Sequence, residues 1–326
     1  VTNLRNATVR RIAALALAAA AAAALPTYVQ NESVQTTLVQ ALLIATLAVS
    51  WNILSGFAGQ INLGHAAFFG VGALTARLLW LEQGLPFWIS FLAGGLAAVL
   101  FALIVGAPAL RLRGIYFAIG TLALAQALRV TVGNVLPIVT RLPGPALATY
   151  DISQRYYLAL GVLLVTVLAT ILLSRSKLGL GMQAVREDEE AAQSIGVNTF
   201  AYKLTAFAMS AFFAGIAGSA FAFYHVSYYF DLPFEPIWTF DALLITFVGG
   251  IGTIAGPLIG TVFFVYVSDV LAAQWVDFHL ILFGTLFILV VLALPGGFIE
   301  FWERIVKRLS AVRQRPANPT QGSLTG

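Results

Sequence analysis

Three side chains capable of hydrogen-bonding chemistry, Gln60, Asn62 and His65, stand among five glycines in SGFAGQINLGHAAFFGVGAL, residues 55–74, a stretch otherwise apolar enough for hydrocarbon. Amides and an imidazole in such a setting either cap a helix start and bond freed backbone groups, or line a wet cavity. The glycines, Gly64 in particular, permit a break in the helix or close approach of a neighbour. A second set, Arg77, Arg129, Asp241 and Asp269, lies inside other apolar runs, where an ion marks a pathway or a pair. Arg77 stands near the end of its run and is expected to snorkel to the interface. Arg129 has Gln126 one turn earlier on the same helical face, and either meets a substrate carboxylate or pairs with Asp241 or Asp269. Cysteine is absent, which removes disulfides, thiolate metal sites and a cysteine nucleophile. No catalytic and no metal-ligating set is assigned.

The elements that carry these residues follow from composition. The chain has 326 residues, of which 60% are hydrophobic and 10% charged, and its mean hydropathy is +0.89. Soluble domains carry roughly 25% charged residues. Apolar runs of about 20 residues, each enough to cross roughly 30 Å of hydrocarbon, recur along the chain, near 11–29, 34–54, 60–81, 86–107, 114–133, 156–173, 203–225, 237–249, 254–273 and 278–297. The fold expected is all-α, a polytopic membrane bundle of about ten helices with broken, glycine-rich segments. Residues 1–33 form a basic segment and first span, which also reads as a cleavable signal peptide. Residues 34–302 form the bundle, and 303–326 a basic, disordered tail.

With the N-terminus inside, fourteen of the eighteen Lys and Arg residues fall in loops on one side, the bias of cytoplasmic loops. Both termini are therefore expected to be cytoplasmic. The basic residues are scattered one loop at a time, without the reading element that nucleic-acid binding requires. A second glycine-rich turn, VGGIGTIAGPLIG at 248–260, lies on the same side as the first. Within it Gly252, Gly256 and Gly260 recur every four residues, as do Ala214, Gly218 and Ala222 in the seventh span, a spacing suited to close helix packing.

The longest loop on that side, 174–202, contains GMQAVREDEEAAQSIGVN. Met182, Val185, Ala192 and Ile195 fall on one helical face, acids at 187–190 load the first turns and Gly196 supplies a stop, so the spacing predicts one amphipathic docking helix over 182–195.

These blocks, together with PALRLRGIYFAIGTLAL and YKLTAFAMSAFFAGIAGSAFA, resemble the bacterial branched-chain amino acid ABC importer permeases over about residues 34–297. Glu190, Ala191, Ala192 and Gly196 match the Glu-Ala-Ala-x-x-x-Gly core through which such permeases contact their ATPase. The resemblance implies a coupling set of Arg186, Asp188, Glu190, Ala191, Ala192 and Gly196. It also implies a bacterial cytoplasmic-membrane subunit working with a second permease subunit, two ATP-binding subunits and an extracytoplasmic solute-binding protein. No cofactor is expected on this chain. Its lysines 177, 203 and 307 follow no glycine, so no G-x-x-x-x-G-K-[ST] loop exists, and ATP and Mg belong to the partners.

The tentative substrate path is Gln60, Asn62, Gly64, His65, Gln126 and Arg129. Two departures loosen the substrate class. Arg141 and Leu142 replace a glycine pair common in relatives, and Gln126 stands where an acid is common, so urea, short amides and small carboxylates stay open beside apolar amino acids. Two other classes make different demands. An ion-coupled transporter would use Asp241, Asp269 and His65 as relay or ligands, and a purely structural membrane subunit would have no continuous polar path.

Overall fold

The computed structural model describes residues 19–29, 31–136, 139–275, 279–293, 296–302 and 304. The start of the first expected span and the tail after 304 lie outside the described residues. A helix lies on each of the ten expected runs. Residues 19–28 are helical. They are followed by α1 (Glu32–Asn52), which ends in a π-helical turn, Ile53–Phe57. Next come α2 (His65–Leu81), α3 (Phe87–Ala109), α4 (Ile115–Val135), β1 (Val139–Arg141), α5 (Gly144–Ala148) and α6 (Ile152–Arg175). The order continues with α7 (Lys177–Glu187), α8 (Glu189–Ser194), α9 (Thr199–Tyr224), β2 (Ser227–Tyr229), a 3-10 turn (Leu232–Phe234), α10 (Pro236–Gly249), α11 (Gly256–Gln274) and α12 (His279–Ala293).

Among the described residues, five helical segments are long and apolar enough to cross a membrane: Glu32–Phe57, α3, α4, α6 and α9. The outward faces are as apolar as the interior. Leu96, Leu100 and Ile104 along α3, and Val165, Leu168 and Leu172 along α6, are all more than half exposed. In water such patches would be a liability, whereas lipid is their natural solvent.

The centre of the bundle is α9, which packs on α2 and α3 through small residues. A Cβ on Gly218 would lie 1.9 Å from the Phe69 carbonyl oxygen, and one on Gly72 would lie 2.1 Å from that of Gly215. Helices cannot gain from hydrophobic burial against lipid, so backbones this close maximise van der Waals contact instead. Hydroxyls reinforce the packing: Ser219 Oγ donates across to Gly72 O of α2 at 3.3 Å, and Ser210 Oγ ties α9 to α1 at Ser50 O, 2.7 Å away. Around this centre α1 packs against α6, α10 and α9, and α10 packs against α11.

The loop expected to hold one helix over 182–195 holds two. Asp188 is extended, with φ −156° and ψ 108°. Its carboxylate accepts from the backbone amides of Glu190 at 3.0 Å and Ala191 at 2.9 Å. Aspartate satisfies orphan amides of a new helix better than it continues an old one, so α7 ends and α8 begins at this residue. At the opposite end of the bundle β1 and β2 pair antiparallel, with Thr140 opposite Tyr228. The loop containing Arg141 and Leu142 thus closes as a short ribbon.

Candidate functional site

The polar residues of 55–65 lie in a turn that re-enters the bundle between the π-turn and α2. Gln60 is partly exposed, while Asn62 and His65 are fully buried. Several backbone groups there have a side-chain partner. Trp51 Nε1 donates to Asn62 O at 2.7 Å, Ser55 Oγ to Gln60 O at 2.9 Å, and Gly64 N to Asn62 Oδ1 at 2.8 Å. Leu63 N donates to Thr121 Oγ1 at 3.2 Å and Ala66 N to Thr239 Oγ1 at 2.8 Å. Gly64 lets α4 approach, since a Cβ there would lie 2.1 Å from Thr121 O.

His65 Nε2 lies 2.8 Å from Ser50 Oγ, which itself donates to Leu47 O at 2.8 Å. The Ser50 hydroxyl thus bridges the imidazole and the α1 backbone. Asn62 Nδ2 and His65 Nδ1 have no protein partner. The cluster joins α1, α2, α4 and α10. It is a polar strap between helices, with Asn62 and His65 buried and Gln60 partly exposed at its edge.

A second polar junction lies beside it, at the end of the bundle that carries α7 and α8. Asn52, fully buried in the last turn of α1, accepts from Gly252 N at 2.8 Å and donates through Nδ2 to Thr253 O at 2.8 Å. One side-chain amide thus clamps the α10–α11 turn to the end of α1 as a paired strand would. Arg186, at the C-terminal end of α7, donates through Nη1 to Gly56 O in the π-turn at 2.6 Å. Gly252, at φ +76°, leaves room for it, since a Cβ there would lie 2.2 Å from that nitrogen. The same residue at Gly56 would place a Cβ 1.9 Å from Asn52 Oδ1. Arg186 therefore touches both glycine-rich turns. Asn52 escaped the sequence reading, although an amide beside Trp51 in the apolar run LAVSWNIL was the signal that could have found it.

The remaining residues of the 182–196 segment divide between interior and surface. Met182, Val185 and Ala192 turn into the chain's own core, at 0, 3 and 4% exposure. Ile195, the residue that follows the last turn of α8, does not share their face and is 80% exposed. The apolar stripe expected to dock on a partner is thus largely spent within this chain. Glu190 stands out with a side chain 85% exposed, near Arg113 at 3.6 Å, and Ala191 is exposed beside it. Glu189 is held by Lys203, whose side chain is 5% exposed. Gly196 adopts φ +88° and ends α8 as a left-handed cap, with Val197 N donating to Ala192 O at 3.1 Å. Gly256 and Gly260 lie where α11 crosses α10; a Cβ on Gly260 would sit 2.0 Å from Ile245 O.

The ions in the apolar runs have other partners than those expected. Arg77 does not snorkel. It is 1% exposed and donates to Thr140 Oγ1 at 2.9 Å and to the carbonyls of Ala222, His225 and Val226 at 2.9, 3.3 and 3.1 Å, with the Tyr228 ring 5.2 Å from its guanidinium carbon. Four acceptors at the end of α9 and in the ribbon offset its desolvation, which water at the interface would otherwise have to do. Arg129 pairs with Glu235 at 2.7 Å and Asp231 at 3.6 Å rather than with Asp241 or Asp269. The 3-10 turn between the two acids packs Phe234 against Val132 of α4, which brings them within reach. Gln126 is partly exposed one turn away, Asp241 is half-buried and Asp269 exposed. An apolar groove of about 800 Å³ between α3, α6 and α9, lined by Phe91, Val162 and Phe213, includes none of these polar residues.

Comparison with known proteins bears on what such a bundle does. The family described as branched-chain amino acid transport system / permease component matches residues 33–291. The chain is 30% identical over 324 residues to the high-affinity branched-chain amino acid transport system permease protein LivM of Salmonella typhimurium, covering 90% of this chain and 76% of that protein. It is 30% identical over 285 residues to LivM of Escherichia coli K12, covering 78% and 67%. The guanosine ABC transporter permease protein NupQ of Bacillus subtilis is 26% identical over 212 residues, 58% of this chain and 66% of that protein. No solved structure matches. A match spanning the bundle from α1 to α12, on a chain whose helices suit a bilayer and whose outward faces are apolar, makes this a multi-pass membrane protein that belongs to the branched-chain amino acid transport permease family.

Proposed function

We propose that this chain is a transmembrane permease subunit of an ATP-driven importer for branched-chain or other small apolar amino acids, in the bacterial cytoplasmic membrane with both termini cytoplasmic. It works beside a second permease subunit, takes its energy from two ATP-binding subunits that hold ATP and Mg, and receives its solute from an extracytoplasmic binding protein. The observation that supports this most is the α7–α8 segment. It presents Glu190 and Ile195 to the outside at one end of the bundle, within the residues that match the ATPase-contacting core, while its other face is anchored in the chain.

The contact residues differ from those the amphipathic pattern alone suggests: Ile195 is the apolar anchor and Glu190 the charge that selects register. Ile195→Asp should weaken ATPase association roughly tenfold or more, and should leave the chain's own stability within about 0.5 kcal/mol because Ile195 lies outside its core. ATPase co-purified with the variant and with wild type is the measurement; equal recovery removes α8 from the interface. Identity to NupQ favours a second reading of the cargo, a nucleoside. Uptake of labelled leucine against labelled guanosine in vesicles reconstituted with the partner subunits separates the two.

A further inference from the structure

The proposed importer must carry a movement at the ATPase to the helices, and the contacts of Arg186 suggest the route. Its side chain is 36% exposed, with Nε 3.9 Å from Glu187 on the surface, while its Nη1 points inward. Nη1 reaches Gly56 O at 2.6 Å, the backbone of Gly59 lies against its own Cα and Cβ, and Gly252 has no side chain where Nη1 stands. The π-turn that receives it ends α1, and the Gly252 turn joins α10 to α11. The two turns are riveted to each other by Asn52. Both contain glycines with positive φ, Gly59 at 72° and Gly250 and Gly252 at 125° and 76°, conformations that leave the backbone few side-chain restraints. A π-turn is itself a register shift that a helix can absorb or release.

We infer that Arg186 is a positioning residue rather than an ATPase contact: it fastens the coupling segment to the ends of α1 and α10 together, so that displacing α7 shifts these two packed helices as one unit. This rests on the importer reading for its functional consequence and on the geometry alone for its structural one. A charged donor to a carbonyl is stronger than a neutral one, and arginine has the length and fork to span from α7 to both turns, whereas glutamine has neither.

The test has two arms. In the purified full chain in lipid nanodiscs, Arg186→Gln should raise hydrogen exchange roughly tenfold at the Gly252 amide, bonded to Asn52, and at the Ala58 and Gln60 amides, bonded to Leu54 O. Exchange at α9 amides should stay at the wild-type rate. Unchanged exchange at all three turn amides overturns the proposal whatever the partners do. In the reconstituted complex, Arg186→Gln should still co-purify ATPase but lose most of the rise in hydrolysis caused by solute-loaded binding protein, with Arg186→Lys, which keeps the charge and one donor, falling between. Loss of ATPase recovery makes Arg186 a contact residue and overturns the proposal, as does a full stimulated response. Should Arg186→Gln fail to accumulate, both arms are read on Arg186→Lys, where a wild-type result in either has the same force. Failure of wild type to recover any ATPase strikes the importer reading instead and leaves the exchange arm to decide.

Discussion

Protonation of His225 would set a second cation beside Arg77. The residue follows the end of α9, its ring tilted against Phe221 with centroids 4.2 Å apart, and its backbone carbonyl accepts from Arg77. Burial, and then the Arg77 charge, hold it down at about 4 from an ordinary 6.5. As pH falls the unfolded chain takes up this proton before the folded one does, so the contribution of neutral His225 is complete above pH 6.5 and is lost between there and pH 4. Thermal unfolding of the detergent-solubilised chain should therefore show a midpoint that declines across that window, and His225→Phe should flatten the decline while keeping the aromatic contact. A decline equally steep in the variant would assign it to carboxylates instead. The Arg77 cluster shows a limit of sequence reading at this scale. Distance from the end of a run suggested an interfacial arginine, but four carbonyl and hydroxyl acceptors from residues 140 and 222–226 are gathered only by the tertiary fold. Nothing local in ALTARLLW announces them.

At the level of elements the helices were legible because apolar run length is a property of the chain itself, and lipid imposes no competing pattern. The turns were half legible. Glycine and amide residues marked 55–65 as unusual, yet whether those amides face a path or a neighbour depends on what packs against them. Thr121, Thr239 and Ser50 come from three other helices. The α7–α8 break was readable in principle, since Asp188 is a strong helix start, but the acids around it also suit the first turns of a single longer helix. The close approach of α2 and α4 at Gly64 gives a test. In Gly64→Leu the new side chain meets the Thr121 backbone rather than a movable side chain, so α4 must shift and the Leu63 to Thr121 bond is lost. Overpacking of this kind costs about 1–3 kcal/mol. The unfolding midpoint should drop by several degrees and transport should fall with it. A Gly64→Leu chain with the wild-type midpoint would mean that α4 is free to move aside.

For the whole molecule, the proposed topology puts the α7–α8 end in the cytoplasm and the β-ribbon end outside, the orientation that the Lys and Arg bias of the loops favours. The chain has no cysteine, so single cysteines report cleanly. Thr149→Cys should label with an impermeant maleimide in intact cells, and Glu190→Cys only after the membrane is opened. The reverse pattern would invert the topology and with it the roles given to the two ends. The all-α membrane class was the most legible of all, since composition decides the solvent before any residue is placed. One dimension of the bundle carries a further consequence. With 14 residues, α10 spans about 21 Å, against roughly 30 Å of hydrocarbon. Upright in such a bilayer, α10 would leave the 3-10 turn before it and the glycine turn after it short of the headgroups. A shortfall of this size is a hydrophobic mismatch, so the α10 side of the bundle matches a thinner bilayer than the α9 side does, and acyl-chain length becomes a thermodynamic variable acting on the same turn that Asn52 and Arg186 hold.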